Sequence, residues 1–140
     1  MSRRACFEEA DLCEELPAPG FYASTVTTAR LRRSASGNRM VHIVHALDGV
    51  GAGHDRVAEY FVLEGASARG LQVARRRLVD LYRACGQEPR AGEEIAPEDL
   101  VGARLEVKVE HEIFRGETRL RIVGHRPLAP ATGTGSEVPF

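Results

Sequence analysis

The sequence predicts a mainly β domain of five strands with one α-helix between the third and the fourth. Three observations predict it. Five stretches either alternate apolar and polar residues or are crowded with β-branched and aromatic side chains. One stretch, residues 71–85, repeats its apolar residues every three or four positions, the period of a helix. Breaks rich in glycine, proline and serine separate these stretches. At 140 residues the chain has the length of one domain and can bury a substantial core, and its 43% apolar content is that of a soluble globule.

Each element follows from its own residues. Residues 1–16 form an acidic arm, read as a tail or a short helix, and Pro17-Ala18-Pro19-Gly20 breaks the chain and starts the domain. Residues 21–31 are rich in aromatic and β-branched side chains and predict the first strand. Its alternation is imperfect: Tyr22 and Val26 fall on one face, Ala29 and Leu31 on the other, and a bulge partway along would reconcile them. Ser34-Ala35-Ser36-Gly37-Asn38 is a turn flanked by Arg32, Arg33 and Arg39. In residues 40–47 Val41, Ile43 and Leu47 share one face of a second strand. A glycine-rich loop follows, and then a third strand over residues 56–63, with Val57, Phe61 and Leu63 opposite Ala58, Tyr60 and Val62.

The helix carries Leu71, Ala74, Leu78, Leu81, Tyr82 and Cys85 on one stripe, with Arg75, Arg76 and Arg77 read mostly to the outer side; Gly86 stops it. Residues 89–97 read as a loop. Leu105, Val107 and Val109 alternate with Glu106, Lys108 and Glu110 in a fourth strand, and Phe114-Arg115-Gly116-Glu117 reads as a hairpin tip. In the fifth strand Leu120, Ile122 and Gly124 alternate with Arg119, Arg121 and Val123, and Pro127 ends it. Residues 128–140 are too poor in apolar side chains to fold alone and read as a flexible tail.

Five strands with a helix between the third and the fourth is the order of a five-stranded OB-fold-like barrel spanning residues 17–127. The pattern alone also permits an open α+β sheet. Net charge is −1, but residues 18–127 carry 17 basic and 14 acidic side chains while the ends carry 2 and 6. A mildly basic middle between acidic arms allows a polyanionic partner.

Several classes find no support in the sequence. No apolar run approaches the ~20 residues of a membrane span, and acids follow Arg3 and Arg4 where a signal peptide needs an apolar stretch, so the cytoplasm is expected. Cys6, Cys13 and Cys85 are too few and too scattered for a disulfide framework or a zinc site, and Cys85 reads as a buried thiol. No phosphate-binding loop and no hydrolase or zinc-protease motif is present. Glu110, His111 and Glu112 alternate faces of a strand, as do His42 and His45. No catalytic residue, metal ligand or cofactor is therefore assigned.

In order along the chain, Pro19-Gly20-Phe21-Tyr22, Ser36-Gly37-Asn38-Arg39-Met40, residues 56–63, Ala84-Cys85-Gly86, residues 97–109, Phe114-Arg115-Gly116 and Gly124-His125-Arg126-Pro127 resemble a family of small phage-associated single-stranded-DNA-binding proteins. The chain's last residues, Glu137-Val138-Pro139-Phe140, are similar to the acidic, Pro-Phe-ending tips of bacterial single-stranded-DNA-binding proteins, although only Glu137 is acidic here. The resemblance implies an OB-fold that protects single-stranded DNA in replication, recombination or repair. Through Glu137, Pro139 and Phe140 it implies docking of a replication or recombination protein. Homo-oligomerisation would compensate a sparse set of aromatic rings.

Single strands are held by cations on phosphates and by rings on bases, and OB-folds present both on strands 2–3 and on the loops joining strands 1–2 and 4–5. The candidates there are Arg32, Arg33 and Arg39 in the first loop, Arg56 at the start of strand 3, and Phe114, Arg115 and Arg119 at the strand 4–5 tip. Tyr60 joins them because it points outward if Phe61 is core. Tyr22 reads as core. The competing reading is a sheet module that binds protein and no nucleic acid.

Overall fold

In the computed structural model, residues 16–51 and 53–128 are described. Five strands form one antiparallel sheet: β1 (Gly20–Arg33), β2 (Arg39–Leu47), β3 (Arg56–Val62), β4 (Arg104–Phe114) and β5 (Glu117–Pro127), in the spatial order β3-β2-β1-β4-β5. One helix, α1 (Ala68–Ala84), stands between β3 and β4, followed by a 3₁₀ turn at Pro97–Leu100. The mainly β class, the five strands and the position of the helix agree with the sequence. Closure does not: among the described residues β3 and β5 share no backbone ladder, so the sheet stays open along a seam between them.

β1 is long because it serves two partners. Its first half, from Gly20 to Thr25, pairs with β4, and its second, from Ser24 to Arg33, pairs with β2. The register shifts between Val26 and Thr28, which makes Thr27 the extra residue of a bulge. That bulge brings Val26 and Ala29 to the same inward face, as the imperfect alternation required. Leu31 keeps the parity of Ala29 but runs beyond the core and is exposed.

α1 starts where Ser67 accepts a hydrogen bond at Oγ from the Gly70 N–H (3.1 Å). It ends in a Schellman motif: Gln87 N–H donates to Tyr82 O, Gly86 N–H donates to Arg83 O, and Gly86 takes φ 86°. The helix buries Ala74, Leu78, Leu81 and Ala84 against β3 and β5, and so covers the seam from inside. The 3₁₀ turn begins at the last residue of the stretch read as a loop, buries Pro97 and Leu100, and the chain just after it is tied to β1 through Val26 N–H to Ala103 O (2.9 Å). Leu78, Leu81, Ala84 and Leu100 join Val41, Ile43, Val57, Phe61, Leu105, Val107, Val109 and Ile122 in one core.

β5 corrects the sequence reading. Ile122 pairs with Val109 and Gly124 with Lys108, so Val123 is the extra residue of a second bulge. Beyond it the alternation inverts, and His125, opposite Val107, turns inward in place of Gly124. Arg77 is a second correction: it is not a solvated helix residue but reaches across the core edge to Glu59. Cys85 is partly buried, and burial, with the Glu59 charge adding to it, pushes its thiol up to about 11.

Candidate functional site

Residues directly opposite one another across antiparallel strands share a face, so the pairing register maps the outer surface. One row runs Arg30–His42–Tyr60 across β1, β2 and β3, and the next runs Arg32–Met40–Val62. Tyr60 is 48% exposed, as its parity with Phe61 predicted. Its ring lies stacked on His42, centroids 4.8 Å apart and 12° from parallel. The pair is a stack in which His42 is buried and Tyr60 carries the exposed ring, with Arg30 and Arg32 following on the same sheet face; Arg32 Nη1 is 3.5 Å from His42 Nδ1. Burial, then the charges of Arg32 and Arg30, hold His42 below its ordinary range, so the ring is neutral at pH 7.

The seam opens beside this stack as a cleft of about 840 Å³. β3 supplies Arg56, Glu59 and Tyr60 to its walls; the β4–β5 hairpin supplies Glu112, Phe114, Arg119 and Arg121; α1 supplies Arg77. Four arginines against Glu59 and Glu112 leave the lining cationic. Phe114 is 44% exposed and is faced by two guanidinium groups, Arg119 at 3.9 Å and Arg115 at 5.1 Å from its centroid. Arg119 Nε also donates to Glu112 (2.7 Å), which fixes its plane over the ring. The hairpin turns on two residues, Arg115 at φ 53° and Gly116 at φ 82°, both positive as a tight hairpin turn of type I′ requires.

At the cleft floor sits a buried polar cluster. Glu59 Oε2 accepts from His45 Nε2 (2.6 Å) on β2 and from His125 Nε2 (2.8 Å) on β5, and Oε1 accepts from Arg77 Nη2 (3.0 Å) on α1. Arg77 also lies over Phe61, 5.1 Å from its centroid. Burial would raise the Glu59 carboxyl, but the hydrogen bonds from His125 and His45, with their charge, outweigh it and hold it down to about 2. An ionised carboxylate only accepts, so both rings carry a proton on Nε2. The donors of His45, Glu59 and His125 lie within 4.8 Å of one another, a spacing that could suit a divalent ion. Here they are committed to each other, with the Arg77 cation on the remaining oxygen, and among the described residues His45 Nδ1 has no hydrogen-bond partner to orient the ring as a metal ligand needs. The cluster is a side-chain clasp between β3 and β5 where the backbone ladder is missing.

Of the residues singled out from sequence, Arg56, Tyr60, Phe114 and Arg119 converge on the cleft. Arg115 stands at the hairpin turn beside Phe114 and Arg32 lies beside the ring stack. Two residues of the first loop are engaged internally. Arg39 binds Glu64 through its backbone N–H (2.8 Å) and Nε (2.9 Å), and Arg33 Nη1 donates to Gly37 O (2.7 Å). Tyr22 packs against the core with its hydroxyl on Ala18 O (2.6 Å), as expected. Glu137, Pro139 and Phe140 lie outside the described residues. Arg30, His42, Arg121, Arg77 and the Glu59 cluster were missed. Arg30 had a signal, since it stands two residues before Arg32 on the same strand face.

A scan against models of known protein families finds no match, and no curated protein matches the chain.

Proposed function

We propose that the chain is a non-catalytic single-stranded-DNA-binding protein that acts in replication, recombination or repair. In this reading the sheet is an OB-type barrel unlatched at its β3–β5 seam, since joining β3 to β5 would complete the ring. The observation that carries the proposal is convergence. Arg56, Tyr60, Phe114 and Arg119, from strands far apart in sequence, line one open cleft, and the His42–Tyr60 stack with Arg30 and Arg32 adjoins it. Cations beside exposed ring faces are what an unpaired strand needs: phosphates on guanidinium groups, and bases on rings at about 1–3 kcal/mol each. Arg33 and Arg39 contribute less, because both are already bonded within the protein.

The test is a fluorescence-anisotropy titration with labelled oligo-dT over a range of salt. Affinity is expected to fall with salt by about 0.7 log units per log unit for each phosphate contact. Arg30→Ala and Arg32→Ala should each flatten that slope. Tyr60→Ala and Phe114→Ala should weaken binding at every salt concentration, by about five- to 150-fold per lost stack. A protein that ignores oligonucleotides in dilute buffer, or a pair of neutral ring substitutions, would overturn the reading in favour of a protein-binding sheet.

A further inference from the structure

We propose that Phe21, Lys108 and Arg126, on the outer face of β1, β4 and β5, form a second seat for a base and its phosphate. A strand leaving the seam cleft at Phe114 runs back along the β4–β5 ribbon and stacks again on Phe21. The proposal rests on the nucleic-acid reading of the cleft and extends it to residues outside the cleft lining.

One arrangement occurs twice on this ribbon. In the cleft, Arg119 lies 3.9 Å from the centroid of the Phe114 ring and donates from Nε to Glu112 (2.7 Å). Toward the other end, Arg126 lies 3.5 Å from the centroid of the Phe21 ring and donates from Nε to Glu106 (2.6 Å). Both rings are left in solvent, Phe21 at 40% exposure and Phe114 at 44%. In both places the carboxylate takes the Nε proton and fixes the guanidinium against its ring. Among the described residues the terminal Nη groups of these two arginines have no hydrogen-bond partner. Exposed ion pairs of this kind add little stability, whereas a held guanidinium with free N–H groups suits a phosphate.

The pairing register puts both seats on one face. Phe21 stands opposite Lys108, and Lys108 opposite Gly124; the next row is Ala23–Glu106–Arg126. Lys108 and Phe114 are an even number of residues apart on β4, so both point outward, about 20 Å from each other along the strand. Lys108 is exposed, and no salt bridge among the described residues engages it. Gly124 adds no side chain to its row, which keeps the surface beside Lys108 open. Between the seats Arg121 faces Glu110. The carboxylates Glu106, Glu110 and Glu112 thus stand on β4 and the cations Arg119, Arg121 and Arg126 on β5, which marks β5 as the phosphate track. At about 3.4 Å per stacked nucleotide the 20 Å takes about six nucleotides, and fewer where the strand is stretched.

The chain contains no tryptophan, so Phe21→Trp and Phe114→Trp, made singly in the full chain, each supply one local fluorescent reporter. Oligo-dT of about 16 nucleotides, the upper end of one domain's footprint, should quench both. Phe21→Leu keeps an apolar side chain on the sheet but removes the ring. With its melting temperature unchanged, it should weaken binding of the same oligonucleotide by about five- to 150-fold. Lys108→Ala should lower the salt slope by about 0.7. Quenching in Phe114→Trp without quenching in Phe21→Trp, or an affinity unmoved by Phe21→Leu, overturns the second seat and leaves the cleft standing. If the parent chain does not bind the oligonucleotide and neither reporter responds, the nucleic-acid reading falls and takes the second seat with it.

Discussion

Glu59 is the residue on which most depends. It is 6% exposed, yet it accepts three hydrogen bonds from three different elements. Its carboxyl is held down to about 2 against an ordinary value of 4.5, first against burial and then by His125 and His45. A group with a depressed folded pKa stabilises the protein fully above its unfolded value and loses that contribution as pH falls through the folded one. The window is therefore pH 4.5 down to about 2, and the contribution is on the order of 3 kcal/mol. Glu59→Gln should lower stability at pH 7 by about that amount, because it leaves Arg77 and two buried rings without their anion. In denaturant melts across the pH range, the gap between parent and variant should close between pH 4.5 and 2; parallel curves would show that Glu59 is not ionised in the fold. Glu59 and His45 were both legible in the sequence by parity. Glu59 sits between Val57 and Phe61 on the inward side of β3, and His45 sits between Ile43 and Leu47 on that of β2. A charged residue at a core position signals buried partners.

At the scale of elements, regular strands were readable and bulges were not. Leu105, Val107 and Val109 alternate without interruption, and all three are fully buried. The β1 bulge announced itself because Val26 and Ala29 cannot both face inward on a straight strand. The β5 bulge gave no such warning. Val123 beside Gly124 is consistent with either parity, so the inward turn of His125 stayed hidden. Arg77 was readable in principle, standing three residues after Ala74 and four before Leu81 on the edge of the helix's buried stripe. The β4–β5 turn also carries a testable compromise. Arg115 holds φ 53°, a conformation in which Asn rests more easily than Arg. Arg115→Asn should raise stability by about 0.5–1 kcal/mol and, with one cation fewer, flatten the salt dependence of oligo-dT binding. An unchanged melting temperature would mean the turn is not strained.

At the scale of the molecule, the order of elements was legible and the openness of the sheet was not. Strand count and helix position follow from periodicity and breakers, which are local. Whether the last strand zips to the third depends on partners 66 residues apart, here Glu59 and His125, joined among the described residues by side chains and no backbone ladder. The candidate site was half legible for the same reason: exposed rings and arginines can be read from parity and turns, whereas the arginines and acid beneath them are assembled by the seam. The open seam has a consequence for how a ligand arrives. The interior is filled by the core and the seam is floored by Glu59, His45 and His125, so the cleft is a surface groove into which a filament is laid from the side, with no need of a free end. Circular and linear single strands of equal length should therefore load equally fast in stopped-flow mixing, and a requirement for a free terminus would mean the groove is shut in solution.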